Sequence, residues 1–177
     1  MARACLLLWL ALGALLALPR PGAAADAQAR GAPSPDPTAP NKALVRRWIE
    51  EGFNERSLAV VDEIFAERFA VNGNVVGRDG LKQSMRRHVA AFPDLHVVVD
   101  EIVAEGGKVA LWYTVEGTHR GEFEDIPPTG KRVKWSGVDL MTIESGRIAE
   151  GRFISDLMGL LRQLGATVSP PVEGSTR

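Results

Sequence analysis

Apolar residues recur at helical spacing in the first half of the chain. A wide apolar stripe runs over residues 44–53 and a shorter one over residues 58–65. A third stripe lies within residues 79–92, and Pro93 stops it, because the residue before a proline is disfavoured in a helix. The spacing therefore predicts three helices, each with one face packed on a core.

The second half alternates apolar and polar residues, which is the pattern of half-buried strands. It predicts a short strand near residues 69–76 and four long strands over residues 95–103, 108–118, 132–143 and 147–154. Short turns join three of the long strands in meander order. Helices followed by such strands predict an α+β domain, in which the helices pack on one face of a curved antiparallel sheet.

The last strand leads into a short leucine-rich helix, over residues 157–164, with Gly165 at the position of a C-cap glycine. Asp156 stands between the two elements, and its position has two interpretations. The carboxylate can cap the helix N-terminus, a role that Asp fills well. It can also act as a general acid or base at the mouth of a pocket lined by the sheet.

Residues 1–25 have the layout of a secretory signal peptide. Arg3 precedes the apolar run Leu6–Leu18, and small residues at 23–25 offer a cleavage site. The run is shorter than the ~20 residues of a membrane span, although an uncleaved anchor is the alternative. We therefore expect export to the periplasm or the extracellular space, without stable membrane insertion after cleavage.

Composition sets the other boundaries of the chain. We expect an Ala- and Pro-rich disordered linker at residues 26–40, one domain at residues 41–166 and a disordered tail at residues 167–177. Cleavage of the signal peptide would remove Cys5, the only cysteine among the 177 residues. The mature chain would then have neither a disulfide nor a cysteine metal site.

Several classes of function are disfavoured by the residues. The net charge is −1 and no long basic run is present, so we expect no nucleic-acid partner. The three histidines lack the spacing of a metal site, so we expect no metal. Dinucleotide- and phosphate-binding glycine motifs are missing from the sequence.

Four motifs occur in order: residues 117–123 (GTHRGEF), 127–131 (PPTGK), 146–150 (GRIAE) and 156–165 (DLMGLLRQLG). Together they resemble the SnoaL-like polyketide cyclase or ester cyclase family, within the nuclear transport factor 2-like (NTF2-like) superfamily. The resemblance covers residues 41 to about 166, which is nearly the whole predicted domain.

The resemblance implies an NTF2-like cone, in which N-terminal helices and a curved antiparallel sheet enclose one mostly apolar pocket. It also implies cofactor-free acid/base chemistry, such as aldol-type cyclisation, isomerisation or hydrolysis of a small apolar carbonyl compound. Asp156 resembles the acid/base aspartate of the family, and His119 resembles its pocket histidine. Folds of this family often pair through the outer face of the sheet, so we expect a homodimer.

Two features depart from the family pattern. Arg152 stands where relatives tend to carry an aromatic residue, and on a strand it would share a face with Asp156. A cation there would weaken Asp156 as a base and would suit an anionic ligand. Export is also unexpected for an enzyme of nascent intracellular products. The alternative function is therefore a non-catalytic, exported small-molecule-binding protein, and whether the chain is an enzyme stays open.

The predicted site combines these residues in a single cavity between the helices and the concave sheet face. His88 falls on the apolar face of the third helix, where a buried structural histidine is the other interpretation. His119 ends a strand, where a solvated loop histidine is the other interpretation. The predicted catalytic residues are Asp156 and His119, and the predicted ligand-binding residues are Arg152, Tyr113, Trp135, Trp48, Met85 and His88.

Overall fold

A computed structural model describes residues 35–166. The predictions for residues 1–25 and 167–177, and most of the predicted linker, lie outside this part of the chain. The helices are α1 (Ala39–Arg47), which continues as a π-helical segment (Trp48–Asn54), α2 (Ala59–Ile64), α3 (Gly77–Ala91) and α4 (Leu157–Leu164). The strands are β1 (Phe65–Val71), β2 (Asn74–Val75), β3 (His96–Glu105), β4 (Lys108–Thr118), β5 (Arg132–Glu144) and β6 (Arg147–Ser155).

The first helix starts slightly before the predicted domain boundary. It begins at Ala39 rather than at Asn41, because Pro40 occupies its first turn, where no intrahelical N–H bond is lost. The side-chain amide of Asn41 donates to the Gly106 carbonyl, 2.9 Å away in the β3–β4 turn. The segment from Asp36 onward thus already belongs to the folded unit.

One six-stranded sheet, in the order β2-β1-β6-β5-β4-β3, carries the fold. The predicted meander of β3 to β6 is antiparallel throughout. The pairing of β1 with β6 is parallel, which the sequence pattern did not indicate. The chain between these two strands forms β2, α3 and the strands β3 to β5, and this connection is long enough for parallel pairing. The α+β architecture with helices on a curved sheet is confirmed.

The core lies between the helices and one face of this sheet. α1 and its π-helical segment pack on β3, while α3 packs on β1. Along β5, buried residues alternate with more exposed ones, so the odd-numbered positions from Val133 to Ile143 face inward. The aromatic rings of Trp48, Phe65 and Phe69 meet edge to face, with centroid distances of 4.7 Å for each neighbouring pair.

Two further observations apply to the described residues as a whole. In residues 35–166 no helix is both long enough and apolar enough to cross a membrane. The described side chains of His, Cys, Asp and Glu also form no group of three that could hold a metal ion.

Candidate active site

A cavity of about 250 Å³ lies between the helices and the inner face of the sheet. Most of its wall is apolar, and five polar side chains reach it from the sheet and from α3. The helical apolar wall consists of Trp48, Ile49, Phe53, Leu81 and Met85. The β3–β6 side consists of Leu95, Val97, Val115, Trp135 and Phe153. The polar groups are Ser84, His88, Tyr113, Asp139 and Ser155.

Asp139 is the one carboxylate among these lining residues. Its side chain sits on the inner face of β5, between Leu111 of β4 and Phe153 of β6 in the strand register. Only 6% of the residue is exposed, and its Oδ1 atom has no hydrogen-bond partner among residues 35–166. Burial in apolar surroundings disfavours the charged form and raises the pKa of Asp139 to about 7.

Tyr113 supplies the polar neighbour of this carboxyl. The phenol on β4 lies over Gly137, where an added Cβ would come within 2.4 Å of the phenol oxygen. A glycine at that position therefore makes the room that brings the hydroxyl toward Asp139. The hydroxyl partly offsets the rise of the Asp139 pKa, while burial and the nearby carboxyl raise the pKa of Tyr113. The phenol thus stays protonated and can donate a hydrogen bond.

His88 lines the opposite, helical wall of the cavity. It lies on α3 and is half-buried, as the helical spacing predicted. Its Nδ1 atom is 2.9 Å from the Ser84 carbonyl oxygen one turn earlier, and its ring meets the Phe123 ring edge-on at 5.9 Å. Because a carbonyl oxygen only accepts, Nδ1 carries the proton of this hydrogen bond.

Asp156 does not lie in the cavity, so its predicted place there is wrong. The residue is exposed, and its Oδ1 accepts a hydrogen bond of 2.8 Å from the Gly159 N–H, as an N-cap of α4 does. Alternation along β6 turns Phe153 and Ser155 inward, and the chain then bends into the helix. The capping interpretation of Asp156 is the one that fits.

Arg152 is also outside the cavity, contrary to its predicted place. It lies on the outer face of β6, opposite to Phe153, and its guanidinium pairs with Glu150 at 3.3 Å. The inner and outer faces of β6 are thus the reverse of those in the prediction that puts Arg152 beside a pocket carboxylate. The lining residues include no arginine or lysine.

His119 is fully buried, yet it is not part of the cavity wall. Its Nδ1 accepts the Thr129 N–H at 3.2 Å, and its ring packs on Phe92 with a centroid distance of 5.3 Å. The N–H of His119 also donates to the Lys131 carbonyl, so the residue closes the base of the β4–β5 loop. Burial lowers the pKa of His119. Both its predicted pocket position and the solvated alternative are wrong.

The other predicted ligand-binding residues do line the cavity: Tyr113, Trp135, Trp48, Met85 and His88. The residue that the prediction missed is Asp139. The sequence does carry a signal for it, because Asp139 lies an even number of residues after Trp135 on the same strand, and Trp135 is predicted to line the pocket. A lone charged residue at an inward position of a strand is costly to bury and is therefore a functional candidate.

Comparison with known proteins gives one family. The model of the SnoaL-like polyketide cyclases matches residues 43–164. Nogalonic acid methyl ester cyclase of Streptomyces nogalater is 38% identical over 64 residues, which is 36% of this chain and 48% of that enzyme. The chain thus aligns with about half the length of the curated relative that it matches.

Solved structures give the same fold. TsrD from Streptomyces laurentii superposes with a TM-score of 0.68 at 28% identity, covering 73% of this chain and 97% of TsrD. AclR from Streptomyces galilaeus superposes with a TM-score of 0.66 at 31% identity, covering 76% of this chain and 87% of AclR. Both alignments extend over most of the described residues.

Proposed function

The chain belongs to the SnoaL-like polyketide cyclase family, and from this premise we propose that it is a cofactor-independent enzyme of the acid/base type. Its reaction is an aldol-type cyclisation, or a related isomerisation, of a small apolar carbonyl compound. Asp139 is the acid/base group. The observation that supports this assignment is a buried carboxyl in an apolar cavity, with a free Oδ1 and a pKa raised to about 7.

The raised pKa suits the two proton transfers of an aldol closure. A proton must leave the carbon next to a carbonyl, and a proton must then reach the new alkoxide. One carboxyl can perform both steps when its pKa lies near the working pH, because it is then a competent base and a competent acid. Asp139 has such a pKa, since the cavity withholds solvation from its charged form.

The enolate that forms after the first step needs a hydrogen-bond donor near its oxygen. Tyr113 is the candidate we choose, because its hydroxyl lowers the pKa of the Asp139 carboxyl as a neighbouring hydrogen-bond donor does, and its own raised pKa keeps it protonated. A neutral donor stabilises the developing oxyanion without requiring a cation, and the lining residues contain none.

The test is proton abstraction from a simple ketone. We expect the protein to accelerate deuterium exchange at the α-carbons of 2-tetralone in D₂O, followed by NMR. Asp139→Asn should reduce the acceleration about 10²–10⁴-fold, as loss of a general base does. Asp156→Asn is the matched control, because the exposed capping carboxylate should be dispensable for exchange.

Two outcomes would contradict the enzyme proposal. One is that deuterium exchange at the α-carbons of 2-tetralone is no faster with wild-type protein than in buffer. The other is that the Asp139→Asn variant accelerates this exchange as much as wild type does. The alternative function, a small-molecule-binding protein that uses the same apolar walls, would then be the better one.

We also propose that the protein is exported, on the basis of the signal-peptide pattern of residues 1–25. The expected mature N-terminus is at or near Asp26. The intact mass of the exported protein checks this, and a mass that retains Cys5 would contradict it.

A homodimer is the assembly we propose. Trp112, Val138 and Ile154 form one row across β4, β5 and β6 on the outer face of the sheet. Trp112 is 54% exposed and Ile154 is 73% exposed, so the row offers apolar surface that a second copy can cover.

A further inference from the structure

The polar groups of the cavity lie on two separate walls. Asp139, Tyr113 and Ser155 belong to the sheet, whereas Ser84 and His88 belong to α3. Among residues 35–166 no hydrogen bond joins His88 to Asp139, and the remaining lining residues are apolar. An occupant of the cavity therefore meets an apolar surface along its body and polar atoms on two sides.

The contact of the His88 ring with the helix selects the tautomer of the neutral ring. Since Nδ1 donates its proton to the Ser84 carbonyl oxygen, the Nε2 atom of the neutral ring has a free lone pair. Nε2 has no hydrogen-bond partner among the described residues. It is also not fully buried, unlike the unpaired Oδ1 of Asp139. Because His88 lines the cavity, Nε2 is the ring nitrogen that remains to accept a hydrogen bond from an occupant.

The charge of the wall limits what the ligand can be. No arginine or lysine lines the cavity, and Asp139 would repel an anion when it is ionised. A cation would find a single carboxyl in a cavity whose wall is otherwise mostly apolar and aromatic. The site therefore suits an uncharged molecule, whose group opposite Nε2 must be a hydrogen-bond donor.

We propose that His88 is a specificity-determining residue that accepts a hydrogen bond from a hydroxyl group on the substrate. The substrate class is then an uncharged, largely apolar carbonyl compound, with its carbonyl end at Asp139 and a hydroxyl at the α3 side of the cavity. The carbonyl end of this assignment rests on the proposed function. The hydroxyl end does not, because it concerns the binding of the ligand and not its reaction.

Discrimination follows from the cost of an unpaired polar group. A ligand that fills the cavity without a donor would cover Nε2 and leave it without water or a partner. Sites built to hydrogen-bond a hydroxyl reject analogues that lack it. We expect a preference of about tenfold or more for the hydroxyl compound over its methyl ether, in keeping with one lost hydrogen bond.

The probes are 6-hydroxy-1-tetralone and 6-methoxy-1-tetralone, which carry a ketone at one end and differ only at the other. Calorimetry at roughly pH 7, above the ordinary pKa of histidine and below that of the phenol, gives the ratio of their dissociation constants. Wild type should favour the hydroxyl compound, His88→Phe should bring the ratio close to one, and His88→Gln should retain part of it through the amide oxygen.

Two control variants separate this effect from others. His96→Phe makes the same change at an exposed histidine of β3 outside the cavity and should keep the wild-type ratio. Asp139→Leu should also keep the ratio of dissociation constants, because the ligand hydroxyl is proposed to bond to His88 and not to that carboxyl. The proposal is overturned if wild type shows no preference, if His88→Phe keeps it, or if Asp139→Leu alone removes it. Failure of α-carbon exchange would instead count against the proposed enzyme, and the binding ratio would still be readable.

Discussion

Burial of the Asp139 carboxyl costs folding free energy whenever the group must ionise. The unfolded chain solvates the carboxylate and gives it a pKa of about 3.9, whereas the cavity raises the pKa to about 7. Below the unfolded pKa both states hold the proton, and no penalty arises. Between the two values only the unfolded chain is ionised, so stability falls as pH rises, and it levels off above about pH 7.

The consequence for stability can be measured with Asp139→Asn, which cannot ionise. The free energy of unfolding of the variant minus that of wild type should be roughly 2–3 kcal/mol larger at pH 8 than at pH 5, since each pKa unit corresponds to about 1.4 kcal/mol. Urea denaturation of both proteins at the two pH values gives the comparison. Asp156→Asn should show no such gain, and an equal response of Asp139→Asn and wild type to pH would contradict the buried-carboxyl account.

At the scale of elements, strand alternation predicted the faces of β4 and β5 well. It placed Tyr113 and Trp135 inward, and both line the cavity. For β6 the alternation was correct, but the face assigned to the cavity was wrong, so Asp156 was predicted inward although it is exposed. Phe153, and not Arg152, faces the cavity because Phe153 pairs with the inward-facing Asp139 of β5, and that long-range register is not written in the β6 sequence.

Pairings between distant segments were harder to predict than local elements. The parallel contact of β1 with β6 joins residues far apart in sequence, and no local pattern specifies it. The burial of His119 depends in the same way on Thr129 and Phe92, which come from a loop and from the end of α3. The fold class could be read from local periodicity, whereas the chemistry of the cavity required tertiary contacts.

At the scale of the whole molecule, the sheet separates two apolar surfaces. Its inner face closes the cavity with the helices, and its outer face carries the row Trp112, Val138 and Ile154. The proposed substrate chemistry and the proposed dimer interface therefore use opposite faces of the same strands.

The proposed dimer is tested by charge on the outer face. Sedimentation at tens of micromolar should show a dimer for wild type and a monomer for the double variant Trp112→Lys/Ile154→Lys, because a dry apolar interface does not tolerate unpaired cations. Gln83→Lys, at an exposed position of α3, should stay dimeric. A wild-type protein that sediments as a monomer would remove the proposal.

The most direct test of the account is the titration of the Asp139 carboxyl itself. Its ¹³C NMR signal can be assigned by its loss in Asp139→Asn and followed from acid to alkaline pH without any substrate. The midpoint should lie near pH 7, because the apolar cavity disfavours the carboxylate. A midpoint near 4, the ordinary value for a solvated aspartate, would contradict the assignment of Asp139 as the acid/base group.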